Sequence, residues 1–182
     1  MSSTFQNMPP HSRIWIYQSN RKLNEKEVAE IEIKAENFID QWTSHGKTMN
    51  ACIEIFYKLF IVVAVDEQTA PASGCGIDKS VHFIQQLEKY FSITLLNRTL
   101  VAYKKNDKLY TCSLAEFEKL IESGSITENT IVFNNLINTK AEMESNWEIA
   151  LKQSWHSKFL PHKNILHRKR TLLDSPGISF QQ

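Results

Sequence analysis

Seven consecutive apolar residues, Leu59 to Val65, constrain this 182-residue chain more than any other feature. A half-exposed strand alternates apolar and polar residues, whereas an unbroken apolar run suits a central strand covered on both faces. The run is far too short to cross a bilayer. Just before it, Ala51, Ile53, Ile55 and Tyr57 alternate with Cys52, Glu54 and Phe56, the pattern of a half-buried strand. Tyr57-Lys58 then either turns the chain back on itself or bends one long strand, since neither is a favoured turn residue.

The flanking segments read as alternating elements. Arg13 to Tyr17 is rich in β-branched and aromatic residues and predicts a strand. Asn24 with Glu27 has the form of a capping box, and Val28, Ile31, Ala35, Phe38, Ile39 and Trp42 follow at helical spacing until His45-Gly46. After a small-residue loop, Thr69 to Gly76, Asp78 is the expected cap of a helix with Val81, Ile84, Leu87 and Phe91 inward. Leu100–Tyr103 and Leu109–Cys112 flank Asn106-Asp107, a hairpin signature. Ser113 with Glu116 caps a further helix that Gly124 stops, and Thr130–Phe133 predicts a strand. Thr139 with Glu142 opens a C-terminal helical stretch expected to carry Trp147, Leu151 and Trp155.

The order β-α-β-β-α-β-β-α-β-α predicts an α+β fold, an antiparallel sheet with helices packed on one face. Its first part is ferredoxin-like βαββα, followed by hairpin–helix–strand–helix. Residues 1–12 read as a disordered lead-in and 13–160 as a single domain, divisible into 13–98 and 99–160. Residues 161–182 read as a basic flexible tail, with His162, His167 and Arg168 to Arg170 supplying its positive character.

A formal net charge of +1 leaves no global field to draw the molecule to nucleic acid or membrane. Three scattered cysteines, Cys52, Cys75 and Cys112, make no disulfide framework and no zinc-type pair. With no signal-peptide layout at the N-terminus, the expectation is a cytoplasmic protein without a cofactor.

Two stretches have the form of nucleotide-site parts. Ile61 to Glu67 is an apolar strand ending in an acidic pair, as in a Walker B strand, and Ser73 to Ser80 ends in Lys79-Ser80 at a helix start, as a P-loop does. A P-loop needs glycine immediately before its lysine so that backbone N–H groups wrap the phosphates. Asp78 stands there, Ser73 replaces the opening glycine, and the acidic strand precedes the loop instead of following it. ATP hydrolysis is therefore not expected.

Arg13–Leu23, Gly76–Ile84, Glu128–Asn135 and Ser154–His156 resemble a small family of uncharacterised Bacteroidetes proteins often labelled "ABC transporter ATPase". The resemblance spans roughly residues 12–160 and implies no established activity. The label requires an intact Walker A loop and an LSGGQ-type signature, which this chain lacks. Residues 102–155 also resemble GYF-like modules, which read proline-rich peptides on an aromatic surface. Lys108–Cys112 stands where that family carries its Gly-Pro-aromatic core, so this likeness implies a shared hairpin–helix–strand plan.

Gly74-Cys75-Gly76 before a helix start brings free N–H groups and a positive dipole end together, so Gly74, Gly76, Lys79 and Ser80 are candidate anion ligands. Cys75 is the candidate nucleophile there, with His82 as its base and Asp78 as orienter. His156 beside Trp155, with Asn134-Asn135, adds polar groups if the C-terminal segment folds back over the sheet. Two functions follow: a non-enzymatic binding protein for a small anion or a protein partner, or an enzyme built on Cys75 and His82. Nucleic acid and membrane are not expected partners.

Overall fold

The computed structural model describes residues 4–44, 46–68 and 73–161. Strand β1 (Arg13–Gln18) leads to Asn24, whose side chain accepts from the Glu27 amide while the Glu27 carboxylate accepts from the Asn24 amide. This reciprocal cap starts α1 (Glu25–Gln41). The helix stops before Gly46, which at φ 75° sits between the two-residue strands β2 (Thr43–Ser44) and β3 (Lys47–Thr48).

β4 (Ala51–Phe56) and β5 (Phe60–Val65) form a hairpin, and the turn residues Tyr57 and Lys58 both adopt left-handed backbone, φ 56° and 52°. The alternative of one long bent strand is thereby excluded. Next come α2 (Gly74–Phe91), then β6 (Leu100–Lys105) and β7 (Lys108–Ser113), paired through the expected Asn106-Asp107 turn. α3 (Leu114–Glu122), β8 (Ile131–Phe133), α4 (Lys140–Asn146) and β9 (Glu148–Ala150) follow, and 3-10 turns at Leu151–Gln153 and Trp155–Phe159 end the described chain.

β5 lies between β1 and β4 and is antiparallel to both. β1 and β4 thus run parallel, joined by α1 with β5 inserted between them, which is the split βαβ arrangement. All six β5 residues are buried. Ile61, Val63 and Val65 pack with Ile31 and Ala35 of α1 and Ile84 and Leu87 of α2. Phe60, Val62 and Ala64 pack with Ala102, Phe133 and Trp147. The unbroken apolar run is explained by these two faces.

The second half does not extend the first sheet. It makes its own antiparallel sheet, ordered β7-β6-β8-β9, which covers the face of the first sheet opposite the helices. Phe117 and Ile121 of α3 and Leu151 cover the outer side of that second sheet with Val101, Tyr103 and Val132. The α+β class holds, but the first sheet is faced by helices on one side and a sheet on the other.

Two expectations are corrected. The lead-in is packed from Thr4 onward: Phe5 and Met8 are buried between the sheets, and Lys140 Nζ donates to the carbonyls of Gln6 and Met8 at 3.0 and 2.8 Å. The C-terminal helix ends at Asn146 because Trp147 turns into the core against Phe60 and Phe133, at 5.0 and 5.1 Å between ring centroids, and the chain continues as β9. From His162 on, the basic tail lies outside the described residues. No helix among the described residues is long and apolar enough to cross a membrane.

Candidate functional site

The helix start singled out by its glycines is differently built than its sequence suggested. Ser73, not Asp78, is the N-cap: its hydroxyl accepts from the Gly76 amide at 3.3 Å, so Gly74, Cys75 and Gly76 are the first turn of α2. Gly76 is buried, and its carbonyl accepts from the Trp42 indole at 3.0 Å. That contact packs the backbone of the turn against α1. Ser80 is buried and donates to the Ile77 carbonyl at 2.7 Å, and Lys79 extends along the surface toward the Thr43 carbonyl.

Cys75, Asp78 and His82 are all exposed. Seven residues of helix rise by about 10 Å, so the geometry separates the Cys75 thiol from the His82 ring. The other thiols are no better as nucleophiles: burial pushes Cys52 up to about 12, and burial together with Glu116 pushes Cys112 up to about 11. At the end of β5, Asp66 holds loops together. Its Oδ1 accepts from the Gln68 amide at 3.0 Å and lies 3.1 Å from His11 Nε2, and its Oδ2 accepts from Asn50 at 3.2 Å.

Polar groups converge elsewhere. A cleft of about 270 Å³ opens along the outer edge of β1, a size suited to a small ligand. Its walls are β1 from Ile14 to Tyr17, the segment from Leu95 to Leu100, the loop from Asn135 to Asn138, and the pair Trp155 and His156. It is more enclosed than the shallow grooves over α1–α2 and over the hairpin turns.

One wall is fixed by a chain of amides. Gln18, 4% exposed, points inward from β1, and its Nε2 donates to Thr111 Oγ1 of β7 at 3.0 Å. Asn135 Nδ2 donates to Gln18 Oε1 at 2.9 Å, while Asn135 Oδ1 accepts from Trp147 Nε1 at 3.0 Å. The two sheets and the loop are thereby joined. Asn134 serves the loop itself, its Oδ1 accepting from the Leu136 amide at 3.3 Å.

The opposite polar group is His156, only 1% exposed. Its Nδ1 lies 2.7 Å from Ser154 Oγ, and its ring stacks on Trp155 at 3.9 Å between centroids. Burial, with a smaller contribution from the Lys158 charge, lowers its pKa to about 4, so the ring is neutral near pH 7. Nε2 makes no hydrogen bond among the described residues. The Trp155 indole N–H is buried and likewise without a partner among them. Arg98 lines the cleft with no hydrogen bond or ion pair among the described residues, and its charge partly offsets the burial that raises the Tyr17 pKa.

No family model, no curated protein and no solved structure matches the chain.

Of the residues that sequence reasoning selected, His156 lies in this cleft, and Asn134 borders it one position from Asn135. Gly74, Cys75, Gly76, Asp78, Lys79, Ser80 and His82 do not line it. Trp155 and Asn135, named together with His156, also line it, whereas Arg98 and Gln18, which Asn135 joins to the wall, were missed. Only Gln18 carried a local signal, as a polar residue in the inward phase of Ile14 and Ile16 on a period-two strand. The cleft lining combines a cation, a residue with a buried unpartnered N–H, and apolar side chains. Among the described residues no group of three or more His, Cys, Asp or Glu is placed to hold a metal ion.

Proposed function

We propose that this is a non-catalytic binding protein that takes the anionic end of a small ligand into the cleft beside β1. The observation that carries the reading is that Arg98, Trp155 and His156 line one partly enclosed space, with Arg98 unpaired and the Trp155 N–H buried without a partner among the described residues. When Ser154 donates to Nδ1, the neutral His156 ring carries its proton on Nε2 and becomes a donor. An anion would then meet one positive charge and two N–H groups, and buried donors without partners cost stability until something satisfies them. Leu95, Leu100 and Ile137 supply an apolar lining that favours a carboxylate with a hydrocarbon body over a bare inorganic ion.

Three free cysteines support a reducing, cytoplasmic setting. The exposed and separated positions of Cys75 and His82 give no support to the nucleophile alternative.

A thermal-shift series with acetate, isovalerate, phenylacetate and phosphate tests the proposal. Isovalerate or phenylacetate should raise Tm by several degrees at saturation, and Arg98→Ala should remove the effect. A flat response to all four, or a shift that survives Arg98→Ala, contradicts it.

A further inference from the structure

The cleft contains a second kind of unsatisfied group, on the main chain of β1. The Ile14 amide donates away from β5, to the Asn138 carbonyl at 2.9 Å, and the Ser12 carbonyl accepts from the Lys140 amide on the same side. Main-chain groups of alternate residues in an antiparallel strand point to the same edge, so Ile16 also points outward, as Ile14 does. Residues 138–140 close this edge over Ser12 to Ile14, with one bridge between Arg13 and Thr139. Beyond that point no backbone hydrogen bond among the described residues joins the loop to β1: Leu136 is 63% exposed, and the Asn135 side chain donates to Gln18. The N–H and C=O of Ile16 are left without a hydrogen-bond partner among the described residues, and Ile14 to Tyr17 form a wall of the cleft.

An adjacent donor and acceptor on a strand edge complement the C=O and N–H of one residue of an extended chain. The same cleft is lined by Arg98, Trp155 and His156, side chains whose N–H groups complement a carboxylate. Its volume of about 270 Å³ accommodates little more than one residue, while Leu96 and Leu136, both exposed, offer apolar footing at the rim. We infer that the ligand is the C-terminal end of a polypeptide, the N–H of its last residue donating to the Ile16 carbonyl and its terminal carboxylate received by Arg98 and Trp155. This inference rests on the anion reading above and names its ligand class.

The test is calorimetric titration of the full chain with four probes: the hexapeptide acid Ac-Gly-Ser-Gly-Ser-Val-Leu-OH, its C-terminal amide, its analogue with the last amide replaced by an ester, and N-acetyl-leucine. The acid is expected to bind at least about tenfold more tightly than the C-terminal amide, since that change removes a charge-assisted contact. The ester, which lacks the N–H that would donate to the Ile16 carbonyl, is expected to bind about tenfold more weakly than the acid. N-acetyl-leucine, with the same amide and carboxylate but no rim contacts, should be weaker again than the hexapeptide. Equal affinity of acid and C-terminal amide, or of acid and ester, overturns the inference. So does N-acetyl-leucine binding as tightly as the hexapeptide, which would make the ligand a free acylamino acid. If the peptides fail while isovalerate still binds in an Arg98-dependent way, this inference alone falls; if isovalerate fails too, the anion reading falls with it.

Discussion

Ser154 Oγ lies 2.7 Å from His156 Nδ1, and this one bond occupies a ring nitrogen of a side chain that is otherwise enclosed by Trp155 and Phe117. The enclosure of the ring has a consequence for stability against pH. The unfolded chain takes up a proton on this histidine near pH 6.5, whereas burial holds the folded pKa at about 4. Between those values the unfolded state binds more protons, so stability rises with pH through that window and is fully present above it. Urea unfolding followed from pH 4 to pH 7 should show a loss of at most about 3 kcal/mol toward the acid end. His156→Gln, which keeps an amide for Ser154 but does not titrate, should flatten the slope; an unchanged slope would contradict the assignment.

The Gln18–Asn135–Trp147 chain joins the two sheets through a buried and a half-buried amide, so its members should act as a unit. Asn135→Leu leaves Gln18 Oε1 and the Trp147 N–H unpaired and should cost roughly 2–3 kcal/mol in chemical denaturation. Adding Gln18→Leu removes one of those orphaned groups, so the double variant should lose less than the sum of the two single ones. Strict additivity would show that the chain is not coupled.

Lys58 occupies left-handed backbone, φ 52°, at the second turn position between β4 and β5, where glycine is favoured. Lys58→Gly should raise stability by about 0.5–1 kcal/mol, since it relieves an L-residue penalty and sacrifices only an exposed ion pair with Glu25. Tyr57 shares the turn but packs on Phe133 at 5.5 Å, so Tyr57→Gly should destabilise instead. Thermal melts of the two variants, moving in opposite directions, check the distinction.

The Lys79 side chain reaches toward the Thr43 carbonyl, and the turn before it is helix packed on Trp42. Magnesium ATP should therefore give no saturable heat in calorimetry, and Lys79→Ala should melt within about 0.5 kcal/mol of the parent, as surface changes do. One-to-one ATP uptake lost in Lys79→Ala would restore the transporter-motor label.

Much of the fold was legible because its signals are local. The capping boxes at Asn24/Glu27, Ser113/Glu116 and Thr139/Glu142 appear as written, since each depends on two residues three apart. The Leu59–Val65 run announced a strand covered on both faces, though not what would cover it. Whether later strands extend a first sheet or stack upon it depends on pairings such as Tyr103 with Val132, which no local period encodes. The C-terminal helix end was misplaced for a related reason: tertiary packing of Trp147 overrode the helical spacing that includes it. The cleft was the least legible part. His156 drew notice as a histidine beside an aromatic ring, but Arg98 and the Ile16 main chain acquire meaning only when segments some eighty residues apart meet. A Gly-Cys-Gly helix start, in contrast, looks like a site in sequence and is a first turn packed through Gly76 in space.

The most direct test of the anion reading follows the Trp155 indole N–H in nitrogen-15 heteronuclear spectra during titration with isovalerate. An N–H that gains an acceptor should move downfield in a saturable way, and Arg98→Ala should abolish the movement. An indole resonance that stays in place at saturating isovalerate, or shifts equally in Arg98→Ala, would mean that the cleft beside β1 does not receive an anion.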